Sequence, residues 1–158
     1  MGTATYLVAL GSNRRSRWGP PQATVRAAAA AVGGVLALSP VLSTPALGPA
    51  GRRFANAAAL VASDEAPPAM LARLKSIERG FGRRGGRRWG ARVVDLDLIG
   101  WSGGTWADRE LTVPHPRFRE RRFVLEPLAA VAPGWRDPVT GRTARQLLAL
   151  VDRRRPRP

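Results

Sequence analysis

Two aspartates, Asp95 and Asp97, stand two residues apart in the segment running from Arg88 to Ile99, which reads RWGARVVDLDLI. On a strand, residues i and i+2 share a face, so both carboxylates converge while Val94, Leu96 and Leu98 point the other way. Like charges so close repel, and at least one pKa rises unless a divalent cation or a cationic side chain lies between them. Upstream lie Arg83, Arg84, Arg87, Arg88 and Arg92, with no acid among them. Carboxylates holding a hard cation beside several guanidinium groups suit a polyphosphate substrate, because metal and arginines share its negative charge. The spacing therefore points to phosphoryl-type transfer on a two-metal template. Charged alternation also marks solvent-facing strands, so Asp-Leu-Asp alone leaves that plainer reading open.

A second constellation is Leu111-Thr112-Val113-Pro114-His115-Pro116-Arg117, where two prolines hold the only histidine in an extended segment. Arg117, Arg119, Arg121 and Arg122 follow, so His115 can sit beside phosphate as a hydrogen-bond donor. Aromatics make up 6% of the chain, and three of them, Phe54, Trp89 and Phe123, fall near loops or element ends. Phe54 precedes Asn56 by two residues, and an amide beside a ring suits a flat, polar heterocycle. The glycines of Gly80-Phe81-Gly82-Arg83-Arg84-Gly85 have dinucleotide-motif spacing, but they follow a helical pattern and precede a strand, which excludes that reading.

The elements that must position these residues are legible from pattern. Tyr6–Leu10 is a short apolar run ending at the turn Gly11-Ser12-Asn13, hence a first strand. Pro20 and Pro21 open a helix that continues from Gln22 to Val32 and stops at Gly33-Gly34. Val35–Ser43 and Phe54–Ala62 read as strands separated by a Pro- and Gly-rich loop. Met70, Leu71, Leu74, Ile77 and Phe81 mark one face of a second helix starting at Pro67, with Asp64 and Glu65 near its positive end. A basic loop, Gly82–Gly86, leads into the aspartate strand at Arg92–Ile99. The order β-α-β-β-α-β matches an α+β ferredoxin-like sandwich: an antiparallel sheet, helices on one face, and C-terminal additions. The additions are short helices at Phe123–Val131 and Thr143–Val151. One domain over residues 1–152 and a basic flexible tail at 153–158 are expected.

The net charge of +15 on 158 residues admits nucleic acid as a ligand. Nearly every base is arginine, however, with Lys75 the only lysine, so compositional bias accounts for part of the excess. A ferredoxin-like RNA-binding module is the rival reading; it requires exposed aromatics on the central strands, where the aspartate strand is expected instead. The absence of cysteine excludes thiolate chemistry and disulfides, and one histidine argues against a multi-histidine metal site. No apolar run approaches the roughly 20 residues that span a bilayer, so a cytoplasmic protein without a membrane partner is expected, and it is taken as a monomer.

Taken in order, Ala9-Leu10-Gly11-Ser12-Asn13, Ser43–Pro49, Phe54–Ala57, Ile77-Glu78, Arg88–Arg92, Asp95–Leu98, Leu111–His115 and Arg121–Leu125 resemble the 6-hydroxymethyl-7,8-dihydropterin pyrophosphokinase family. The resemblance runs almost end to end. It implies a cytoplasmic folate-biosynthesis enzyme, a diphosphotransferase that moves pyrophosphate from ATP to the pterin alcohol. It also implies two Mg²⁺ ions at Asp95 and Asp97, with Arg83 and Arg92 completing the catalytic set. ATP contacts map to Lys75, Glu78, Arg83, Arg88, Arg92, His115 and Arg121, with Arg84 the alternative to Arg83. The pterin slot maps to Thr44, Pro45, Leu47, Phe54, Asn56, Trp89 and Phe123, with the rings at 54 and 123 on opposite faces of the heterocycle. Ala91 stands where the family motif usually has proline, Lys75 where it has an uncharged polar residue, and Phe54 where tyrosine is common.

Overall fold

The computed structural model describes residues 2–44, 53–82 and 92–154. Strand β1 (Ala4–Ser12) is followed by helix α1 (Pro21–Val32), strands β2 (Val35–Leu38), β3 (Leu42–Thr44) and β4 (Phe54–Ser63), helix α2 (Pro67–Phe81) and the aspartate strand β5 (Asp95–Trp101). A small hairpin, β6 (Trp106–Ala107) with β7 (Thr112–Val113), leads through a 3-10 turn at Phe118–Glu120 to α3 (Arg122–Val131) and α4 (Ala144–Arg154). The main sheet runs β2-β4-β1-β5, with β3 also on β4. All its pairings are antiparallel.

Each face of the sheet has its own core. Tyr6, Val8 and Leu10 of β1, alternate alanines and Val61 of β4, and Leu96 and Leu98 of β5 pack with α1 and α2. Leu7, Ala58 and Ile99 point the other way, against Phe118, α3 and α4. Two helices therefore occupy one face as the sandwich requires, and the C-terminal additions cover part of the second. α4 runs through Arg154, so the first two residues of the expected tail are helical; residues 155–158 lie outside the described residues.

Three expectations are corrected. The single strand Val35–Ser43 is broken at Ser39-Pro40-Val41, because Pro40 lacks an N–H. The Ser39 hydroxyl accepts from Ala58 N–H at 2.9 Å in place of a ladder carbonyl. The aspartate strand begins at Asp95 rather than Arg92, since Val93 is taken by other partners: its N–H donates to Gly82 O at 3.3 Å and its carbonyl accepts from Ser12 Oγ at 2.8 Å. Nor is that strand central. β5 ends the path, leaving one edge facing outward.

α2 ends at Gly82, whose φ of 87° turns the chain off the helix while its N–H bonds Arg79 O at 3.1 Å. An L side chain is disfavoured there. Behind the second core, Arg119 binds Asp137 in a fork, Nε–Oδ2 2.5 Å and Nη2–Oδ1 2.8 Å. Thr140 Oγ1 and Val139 N–H also donate to this fully buried carboxylate. Burial works to raise the Asp137 pKa, yet the bonds from Arg119, Thr140 and Val139 prevail and hold it at about 2. Arg119→Ala should cost about 3 kcal/mol at pH 7, by stranding a buried charge. Because the folded pKa lies below the ordinary 3.8, the pair's contribution is full above that value and lost as pH falls toward 2. Urea unfolding of both proteins at neutral and acid pH checks this: the gap between them should shrink on acidification.

Candidate active site

Asp95 and Asp97 lie on the partly covered face of β5, opposite Leu96 and Leu98, which join the first core. The shared face expected from their spacing is thus in place. The surrounding protein desolvates Asp95 and pushes its carboxyl above the ordinary range; the charge of Asp97 adds to this, while Arg92 and Lys75 pull against it. Arg92 Nη1 stands 3.8 Å from Asp95 Oδ1 and 3.5 Å from Glu78 Oε1, bridging strand and helix.

Glu78 faces inward from the last turns of α2 with 5% exposure. Its Oε2 accepts from Leu96 N–H at 2.7 Å, and Lys75 Nζ lies 4.0 Å from its Oε1. Burial raises its pKa, opposed by the Leu96 N–H, Arg92 and Lys75. The carboxylate is therefore engaged in holding β5 and Arg92, at the position where the family resemblance implies an ATP contact.

His115 is tied to β5 by its N–H, which donates to Ile99 O at 2.9 Å. Its Nδ1 accepts from Arg117 N–H at 3.1 Å, which leaves the proton of the neutral ring on Nε2. Burial lowers its pKa; Asp97 raises it, and Arg121 and Arg117 lower it. A neutral donor results. Beside it a cavity of about 300 Å³ opens at the free edge of β5, lined by Leu71, Lys75, Leu96, Asp97, Leu98, Leu111, Thr112 and His115 among others. Four leucines give it an apolar wall, and Lys75, Asp97, Asp108, Arg109, Glu110, Thr112 and His115 a polar one, a mixture that suits one flat ring and its polar substituents. Leu71 and Thr112 were not singled out from sequence as ligand residues, although Thr112 belongs to the motif around His115.

Of the remaining predicted residues, Thr44, Phe54 and Asn56 are brought together on β3 and β4. Asn56 of β4 donates from Nδ2 to Thr44 Oγ1 of β3 at 2.7 Å, which leaves its Oδ1 as an acceptor. Phe54 shares the Asn56 face and pairs with Thr44. Arg53, which sequence reading passed over, pins this edge by donating from Nε to Ser43 Oγ at 2.7 Å and from Nη2 to Ser43 O at 3.1 Å. Phe123 opens α3 with an exposed ring, and the Arg121 guanidinium lies 5.8 Å from its centroid. Pro45, Leu47, Arg83, Arg84, Arg88 and Trp89 lie outside the described residues.

No group of three or more His, Asp or Glu side chains converges among the described residues. Two carboxylates on one face still form a hard oxygen pair of the kind Mg²⁺ accepts when substrate and water complete its shell. Burial first, and the Asp97 charge second, raise the Asp95 carboxyl; a cation between the two acids would relieve the second of these. The donor set fits.

Comparison with known proteins gives a consistent picture. The family model described as 7,8-dihydro-6-hydroxymethylpterin-pyrophosphokinase matches residues 7–133. Proteins named 2-amino-4-hydroxy-6-hydroxymethyldihydropteridine pyrophosphokinase are similar: one from Synechocystis is 41% identical over 107 residues, 68% of this chain and 55% of that protein. Another, from Methylorubrum extorquens, is 41% identical over 99 residues, 63% of this chain and 61% of that protein. The matches thus span less than two thirds of these relatives. Among solved structures, Plasmodium falciparum HPPK-DHPS superposes with TM-score 0.72 at 13% identity, over 94% of this chain and 44% of that one. At that identity the likeness speaks for the fold.

Proposed function

Because this chain belongs to the 7,8-dihydro-6-hydroxymethylpterin-pyrophosphokinase family, we propose that it transfers pyrophosphate from ATP to 6-hydroxymethyl-7,8-dihydropterin. The products are AMP and the pterin diphosphate, a step of folate biosynthesis. The observation that carries the reading is the adjacency of two half-sites. Asp97 lines the cavity at the β5 edge, and on the same strand Asp95 stands in register, across β1, with Asn56 of the Asn56–Thr44 pair on β4 and β3.

The cavity takes the nucleotide, with Lys75, Arg92, His115 and Arg121 around its phosphates. Arg92 is aimed by Glu78, and His115 is kept a donor by Arg117 N–H. Asn56 reads the polar edge of the pterin through Oδ1. Asp95 and Asp97 would hold Mg²⁺, which when bound supplies positive charge against the phosphate oxygens. The pterin hydroxymethyl oxygen attacks the β-phosphorus in line, the bond from that phosphorus to the bridging oxygen of AMP breaks, and the alcohol proton passes to solvent. With a neutral His115 that donates, no strong side-chain base is needed, since such transfers depend mainly on positioning and charge neutralisation. Pro45, Leu47 and Trp89 are proposed for the pterin side, and Arg83 or Arg84 with Arg88 for the phosphates.

The RNA-binding alternative finds less support, because Tyr6 and Phe54 are the only aromatics on the central strands and Tyr6 is buried. The test is a coupled assay for AMP from ATP and the hydroxymethyl pterin with Mg²⁺. Formation of ADP instead, or no turnover, overturns the reading. Phe123→Ala should weaken pterin binding by about 1–3 kcal/mol, the worth of a stacking ring, and leave ATP binding unchanged. Calorimetry with each ligand checks that split.

A further inference from the structure

We propose that Ser12 is a positioning residue for the transfer, holding the backbone beside Arg92 so that its guanidinium meets both Glu78 and Asp95. The inference rests on the pyrophosphate-transfer reading above and adds a residue to it. Ser12 is the last residue of β1, the strand paired on both sides, with β4 and with β5. By alternation it shares the face of Tyr6, Val8 and Leu10, which are packed into the first core, and it is itself 2% exposed. A hydroxyl so placed needs a partner. Ser12 Oγ donates to Val93 O at 2.8 Å.

The bond falls where the sheet lets go of the chain. The ladder between β1 and β5 ends at the pair Gly11–Asp95, so Val93 lies outside it. Val93 is fixed from two sides instead, by the Ser12 hydroxyl on its carbonyl and by Gly82 O, which accepts from its N–H at 3.3 Å. Both anchors are themselves seated. Ser12 stands in register with Ala55 of β4, and the end of α2 is held by Phe81, whose ring stacks on Trp18 with centroids 4.1 Å apart.

Arg92 depends on this anchoring because its own contacts are loose. Nη1 lies 3.5 Å from Glu78 Oε1 and 3.8 Å from Asp95 Oδ1, and the side chain is 45% exposed. Both separations exceed the roughly 3.2 Å of a formed hydrogen bond, so charge attracts the guanidinium without fixing its direction. The two acids belong to different elements, α2 and β5, and reaching both requires the Arg92 backbone to stay between them. Ser12, 81 positions before Val93 in the chain, keeps it there through that carbonyl.

The test is a double-mutant cycle read in AMP formation, with Ser12→Ala made in the wild-type and in the Arg92→Ala background. In the wild-type background kcat/KM for ATP should fall about tenfold, less than the roughly hundredfold that a misplacement of about 1 Å can cost. In the Arg92→Ala background the same change should cost less than about twofold, because the residue it acts through is gone. A second readout is independent of activity: without substrates, the Arg92 Nε–Hε group should lose NMR order in Ser12→Ala, while that of Arg119, bonded to Asp137, holds. If Ser12→Ala yields no folded protein, Ser12→Cys, close in volume and a weak donor, takes its place with the same expectations. Equal losses in both backgrounds, or an Arg92 signal that keeps its order, overturn the proposal. A wild-type protein that forms no AMP overturns the transfer reading instead, and the Arg92 signal then still decides whether Ser12 holds it.

Discussion

Asp97→Ala should lower kcat by about a thousandfold or more, roughly 4 kcal/mol added to the barrier. Asp97 shares its strand face with Asp95, lines the cavity at the β5 edge and sits close enough to His115 to influence its proton. A single carboxylate would hold a hard cation far less well than a pair. The fold should not suffer, because the substitution removes a like charge from Asp95 rather than a packed apolar group. In the metal-free variant the Asp95 carboxyl should accordingly titrate at lower pH than in the wild type, by removal of that repulsion. Steady-state kinetics with a melting curve checks the first claim and carboxyl NMR titration the second. Retention of more than about a tenth of wild-type kcat, a barrier change under about 1.4 kcal/mol, would count against the metal pair.

Arg92→Ala should lower kcat and weaken ATP binding together, with kcat/KM falling by about a hundredfold to a thousandfold. Its guanidinium is the cation that faces both Glu78 and Asp95. Removing it leaves the Glu78 carboxylate 5% exposed with only the Leu96 N–H and the more distant Lys75 to offset its burial. The Glu78 pKa, already raised by burial, should climb further. Arg92→Lys should restore part of the rate, since an ammonium supplies charge without the planar fork that reaches two acids. An effect on KM alone, with kcat intact, would reduce Arg92 to a ground-state binding residue.

Much of this site is written in local pattern. Period-two alternation put Asp95 and Asp97 on one face, period 3.6 placed Met70, Leu71, Leu74, Ile77 and Phe81 on one face of α2, and Pro67 and Gly82 marked its ends. Where the pattern misled, long-range partners were responsible. Val93 satisfies Gly82 and Ser12 instead of a ladder, so the strand starts late. Pro40 interrupts an apolar run that periodicity read as continuous.

Residue types and spacing by themselves determined the acid pair, the leading β-α-β-β-α-β order, and a family membership carried by ordered motifs, because these depend on near neighbours in the chain; the β6–β7 hairpin was not legible there. Only the tertiary structure decided that β5 is the end strand, which opens an edge for the cavity, and that Glu78 turns inward to hold Arg92. It alone set Gly11 between Asn56 and Asp95, since cross-strand register pairs residues 45 and 84 positions apart, Gly11 with Asn56 and Gly11 with Asp95. Register is settled by which faces must be buried and where the chain turns, and that information is spread over both cores rather than held in any one segment.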